Sequence, residues 1–119
     1  MTLNELNSKY EYVTDENEHG RVEKWTVMKE KDGKYSGDCE DYCLTLKKLV
    51  PEFKDWELYY CKINGGGHCV LHKNGDVIDC NVKRPVTLDM YSRMYRVTDW
   101  KKYHWFVVLS KRLIGLIRW

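Results

Sequence analysis

The chain has no alanine and no glutamine, and only two prolines in 119 residues. With Lys, Asn and Tyr plentiful, that bias points to an AT-rich coding genome such as a phage's and says nothing of the fold. No charge sign dominates: 20 basic against 18 acidic side chains leave +2, which gives no case for nucleic acid. No apolar run reaches the length of a membrane span, and residues 1–13 are too polar for a secretory signal. No membrane span is therefore expected. The five cysteines form an odd set without the paired spacing of a zinc ribbon, so free thiols in a reduced, cytoplasmic setting are expected. Repeats, low-complexity tracts and linkers are also missing. What is there is one domain, 1–119, with 43% hydrophobic and 32% charged residues, ordinary globular values and enough chain for a core.

Along the chain, Leu3, Leu6 and Tyr10 fall at helical spacing and predict a short helix over 3–10. Residues 14–36 show no period and read as loop, with Trp25 as anchor. The strongest helix covers 38–50. Asp38 can cap it, Asp41 completes a capping-box-like start, Lys47 and Lys48 suit its negative end, and Pro51 stops it. Cys39, Tyr42, Cys43, Leu46, Leu49 and Val50 recur every three and four residues, so the Cys39 thiol should face whatever this helix packs on.

Strands are expected at 56–63, 68–73 and 76–81, with two more at 94–100 and 103–109. Lys111 to Trp119 predicts a basic, apolar final helix packed on the domain's own core, with a membrane surface or a partner as the alternative. Asn74-Gly75 marks a two-residue hairpin turn. Its register pairs Lys73 with Asp76, Leu71 with Ile78, Cys69 with Cys80 and His68 with Asn81. His68, Asp79 and Asn81 then share one face, Asp79 being the diagonal neighbour of His68 at about 7–8 Å. Asp76 lies on the other face. Cys69 and Cys80 face each other there as two buried thiols. A zinc site at His68, Cys69 and His72 is excluded, because the two histidines sit about 13 Å apart along a strand.

Gly37-Asp38-Cys39-Glu40-Asp41-Tyr42 therefore puts a cysteine in the first turn of a helix, where N–H groups and the dipole favour a thiolate. Histidine on one strand and a carboxylate on the next complete the parts of a cysteine hydrolase or acyltransferase. Asp38, Glu40 and Asp41 oppose this, since their charge raises the thiol's pKa. They must turn away as capping groups or be neutralised by a cation. Gly65-Gly66-Gly67 before His68 reads either as a bare approach for an extended substrate or as a plain loop.

Those residues resemble the bacterial transglutaminase-like cysteine proteinases, a papain-like family marked by Gly-Asp-Cys-Glu-Asp-Tyr at a helix start. Tyr12-Val13-Thr14-Asp15 with Trp25 is similar to that family's Tyr…Asp…Trp segment. His68-Cys69-Val70-Leu71 is similar to its His-Ala-Val-Leu strand, and Val77-Ile78-Asp79 to its strand ending in Asp. Arg84-Pro85 and the stretch from Tyr95 to Trp100 match more loosely. Cys43 and Cys69 stand where the family usually has alanine, Cys80 where it has Asn, and the common secretory signal is missing.

The resemblance implies an α+β fold, a papain-like core in which the cysteine helix packs on a mainly antiparallel sheet of about four strands. It implies Cys39 as nucleophile, His68 as general base and acid, and Asp79 as orienter of the imidazole. Papain-like enzymes use a glutamine as second oxyanion donor. With none in this chain, Trp25 or a backbone group takes that place, and Asn81 joins the oxyanion or substrate set. No cofactor is required. Some relatives bind calcium through acidic residues beside the cysteine, which would fall on Asp38 and Glu40, against plain capping as the alternative. The implied activity is cleavage of an amide bond in a protein or peptide substrate, in the host cytoplasm if phage-encoded. Acyl transfer of transglutaminase type, or a catalytically silent protein that captures a host partner, are the alternatives.

Overall fold

The computed structural model describes residues 1–13 and 27–102. Helix α1 (Leu3–Lys9) opens with a reciprocal cap between Thr2 and Glu5. It runs straight into strand β1 (Tyr10–Tyr12), which pairs in parallel with β2 (Tyr35–Gly37). Helix α2 (Cys39–Leu49) begins two residues after β2. The Asp38 side chain accepts from the Asp41 N–H at 3.2 Å, and the Asp41 carboxylate accepts from the Asp38 N–H at 3.4 Å, a complete capping box. The helix ends where expected. Val50 precedes a proline, which drives it out of the helical region, and Pro51–Phe53 then forms one 3-10 turn.

The second half is a five-stranded antiparallel sheet in the order β6-β5-β4-β3-β7, one strand more than the four expected. Its strands are β3 (Glu57–Ile63), β4 (Gly66–Lys73), β5 (Asp76–Ile78), β6 (Val86–Thr87) and β7 (Val97–Lys102), with helix α3 (Leu88–Met94) between the last two. Two Asn-Gly turns set the register. Asn64 and Gly65 (φ +50° and +84°) join β3 to β4, and Asn74 and Gly75 (φ +51° and +85°) join β4 to β5. Positive φ at both central residues is the hairpin turn whose twist matches the strands.

The predicted pairs Lys73–Asp76 and Leu71–Ile78 form. The further pairs, out to His68–Asn81, do not, and the predicted strand 76–81 stops at Ile78. The reason is local. Asp79 turns its Oδ1 onto the backbone N–H groups of Asn81 and Val82 (2.9 and 2.8 Å), and its carbonyl accepts from the Lys83 N–H at 2.9 Å. A side-chain-stabilised turn replaces the ladder. The predicted strand 94–100 becomes β7, displaced because α3 extends to Met94. Gly66 and Gly67 belong to β4 and are not a loop. In the predicted loop 14–36, Tyr35 and Ser36 belong to β2. Residues 14–26, the expected strand 103–109 and the expected helix 111–119 lie outside the described residues.

Two apolar clusters line the opposite faces of the sheet. On one, α2 contributes Cys39, Tyr42, Cys43 and Leu46 against Cys69, Leu71, Ile78 and Cys80. On the other, Cys61, Val70, Val77 and Val86 pack with Tyr91 of α3. Leu6, Leu46, Leu71 and Ile78 are fully buried, each contributing about 1.5–3 kcal/mol of hydrophobic stabilisation. All five cysteines are buried and free; Cys69 and Cys80 are among them, although the expected cross-strand pair of the two does not form.

Candidate active site

The thiol end is held by close packing. A methyl group on Gly37 would lie 2.7 Å from Asp41 Cβ and 2.9 Å from Met28 Sδ, so only glycine lets β2 approach the first turn of α2 this closely. Asp41 is fully buried beneath it, and its carbonyl accepts from Thr45 Oγ1 at 2.7 Å. Tyr10 donates to the Gly37 carbonyl at 2.9 Å. Tyr42 donates to Asn7 Oδ1 at 2.5 Å, while Asn7 Nδ2 donates to the Lys83 carbonyl at 2.7 Å. One asparagine thus ties α1 to α2 and to the turn that follows Asp79.

Cys39 is the first residue of α2, as expected, and is 7% exposed. Its sulfur donates to Glu40 Oε2 at 3.2 Å. Burial pushes the thiol well above its ordinary value, and the Glu40 charge pushes in the same direction, so it is neutral at pH 7. Glu40 responds in kind: burial and the neighbouring Asp38 push its carboxyl up to about 7. Of the two alternatives for the acidic neighbours, Asp38 and Asp41 cap the helix. Glu40 does neither; it turns onto the thiol.

His68 and Asp79 come together. His68 Nε2 lies 2.6 Å from Asp79 Oδ2, with both side chains buried. The pairing uses Nε2, which leaves Nδ1 as the remaining base of the imidazole. Tyr91, fully buried, donates to the same Oδ2 at 2.5 Å. Burial raises the Asp79 pKa, but hydrogen bonds from His68, Tyr91 and the Val82 N–H outweigh it and hold the carboxyl below its usual range. Asp79 is a fixed anion that orients.

The two halves lie on different faces. Directly paired residues share a face, and His68 pairs with Cys61, a member of the cluster under α3. Cys39 belongs to the cluster on the other face. The face that α2 covers carries Cys69, Leu71, Ile78 and Cys80 and is not the face of His68 and Asp79. No hydrogen bond joins the Cys39 sulfur to His68. Asp76 is kept apart from Asp79, as the register required, and pairs with Thr87 of β6.

Asn81 does not pair with His68. It is exposed in the turn after β5, where its backbone N–H serves Asp79 and its Oδ1 lies 3.9 Å from the Cys80 sulfur. Trp25 lies outside the described residues. Asp38 and Glu40 supply two carboxylates, whereas calcium takes six to eight oxygen ligands. Among the described residues no group of three or more His, Cys, Asp or Glu side chains is placed to hold a metal ion.

Sequence reasoning named Glu40 as a charge acting on the thiol but not as its hydrogen-bond partner, and it missed Tyr91. Tyr91 had a signal: Thr87 followed by Leu88, Tyr91 and Tyr95 is a capped, amphipathic turn, and Thr87 Oγ1 does accept from the Met90 N–H at 3.1 Å. Compared with protein-family models, with curated proteins and with solved structures, the chain matches none.

Proposed function

We propose that the chain is a thiol hydrolase that cleaves an amide bond in a protein or peptide substrate, with Cys39 as nucleophile, His68 as base and acid, and Asp79 as orienter. The observation that carries this reading is the 2.6 Å pairing of His68 Nε2 with an anionic, fully buried Asp79, which presents Nδ1 for proton transfer. A capped helix start bearing Cys39 supports it. In the reaction Nδ1 takes the thiol proton, the thiolate adds to the carbonyl carbon, and the imidazolium then protonates the leaving amine. Water releases the acyl group. The helix N–H groups are suited to hold the oxyanion. Before any of this the thiol must leave Glu40 and reach the imidazole, which belongs to the other face of the sheet, so the reaction requires the start of α2 and β4 to shift relative to one another.

A second reading, a silent binding protein of the same fold, is favoured by the neutral thiol bonded to Glu40. One measurement separates them. A thiol-directed probe should label Cys39 at least tenfold faster than the other four cysteines, and His68→Ala should slow that labelling at least tenfold. Equal labelling at all five, or no response to His68→Ala, rejects the hydrolase reading. Where Cys39 does react, capture of the acyl group by an added amine in preference to water identifies acyl transfer.

A further inference from the structure

We infer that Tyr91 is a positioning residue that sets the basicity of His68 through their shared partner, Asp79. Its importance for a reaction rests on the proposed thiol chemistry; the coupling itself does not. Asp79 carries four donors. Oδ1 takes the Asn81 and Val82 N–H groups at 2.9 and 2.8 Å, and Oδ2 takes His68 at 2.6 Å and Tyr91 at 2.5 Å. The two backbone donors fix the carboxylate in its turn. The two side-chain donors compete for one oxygen.

Packing alone does not require the hydroxyl. The Tyr91 ring sits among Cys61, Val70, Val77 and Val86, with the Tyr95 ring 5.1 Å away, and phenylalanine would fill the same space. The phenol's O–H adds a neutral donor that withdraws charge from the atom an imidazolium needs. Tyr91 and His68 thus draw on the same oxygen of Asp79, and removing the phenol leaves that oxygen to the imidazole alone. A base meant to take a proton from a thiol near pH 7 must itself be largely unprotonated there.

The other titratable groups around His68 do not supply this control. Cys61, its partner on β3, is pushed up to about 11 by burial and by Asp79. Tyr95, just past the end of α3, is raised by burial, and so are Cys39 and Cys43 on α2, across the sheet. Glu40, also on α2, is the group that changes charge in the same pH range. Asp79 is the anion that His68 touches, and Tyr91 is the side chain that shares it.

The test is an NMR titration of the His68 imidazole in the full chain, with and without Tyr91→Phe, both in a Glu40→Gln background so that the neighbouring carboxyl does not titrate. The midpoint should rise by about half a pH unit or more in Tyr91→Phe. The acid limb of the pH profile for Cys39 labelling should move the same way. An unchanged midpoint in folded Tyr91→Phe overturns the inference and leaves the hydrolase reading standing. A raised midpoint with an unreactive Cys39 supports the coupling and rejects the hydrolase reading alone. If Tyr91→Phe fails to fold, 3-fluorotyrosine at position 91 keeps the ring and strengthens the donor. It should lower the midpoint, and no change there also overturns the inference.

Discussion

The two faces of the sheet treat an acid in opposite ways. Under α3, a buried carboxylate meets four donors and is held ionised. At the start of α2, a buried thiol meets a carboxylate and is held protonated, although the helix terminus favours an anion there. Burial opposes charge on both sides: at Asp79 the donors outweigh it, whereas at Cys39 the Glu40 carboxyl adds to it.

Removing the anion should break the contrast most severely. Asp79→Ala leaves His68, Tyr91 and two backbone N–H groups without their acceptor, and should cost about 3–5 kcal/mol in urea unfolding. The wild-type protein should lose part of this stabilisation in acid. Because Asp79 is held below its ordinary value, its stabilisation is complete above the unfolded pKa of about 4 and is lost as pH falls through the folded value. A loss in Asp79→Ala no larger than that of an exposed substitution would remove Asp79 as an organiser of this face.

On the other face, Asp38→Ala removes one half of the capping box and should cost about 1 kcal/mol. It also removes a charge beside Glu40, so the Glu40 carboxyl should titrate lower than in the wild type, as read by carboxyl carbon shifts. An unmoved Glu40 would mean that burial alone raises it.

Glu40→Gln sharpens the comparison with the smallest change. A carboxyl whose folded pKa is raised to about 7 binds more protons folded than unfolded, so it erodes stability as pH climbs from about 4.5 to 7. The variant should melt a few degrees above wild type at pH 8 and show little or no such gain at pH 4. Equal offsets at both pH values would show that Glu40 does not titrate against the fold.

Much of this arrangement was legible. The capped helix 38–50, the Asn74-Gly75 turn, the burial of Cys39 and the separation of Asp79 from Asp76 all follow from local rules of spacing and turn chemistry. The second Asn-Gly turn was as readable as the first, but Asn64-Gly65 runs into Gly66 and Gly67, which pass for loop. The end of β5 was not readable, because Asp79 competes for its own backbone neighbours and period-two alternation cannot show that. Which face α2 would choose was also hidden. Cys69 and Val70 are both apolar, so β4 offers a hydrophobic surface on either side, and the choice depends on the packing of the whole sheet.

Gly37 has a consequence beyond its own position. The gap between β2 and the first turn of α2 is narrower than a single methyl group. The thiol end therefore has almost no mechanical tolerance. Glycine, cap, cysteine and the buried Asp41 form one rigid fitting, and a substitution at Gly37 would move Cys39 as surely as one made at Cys39 itself.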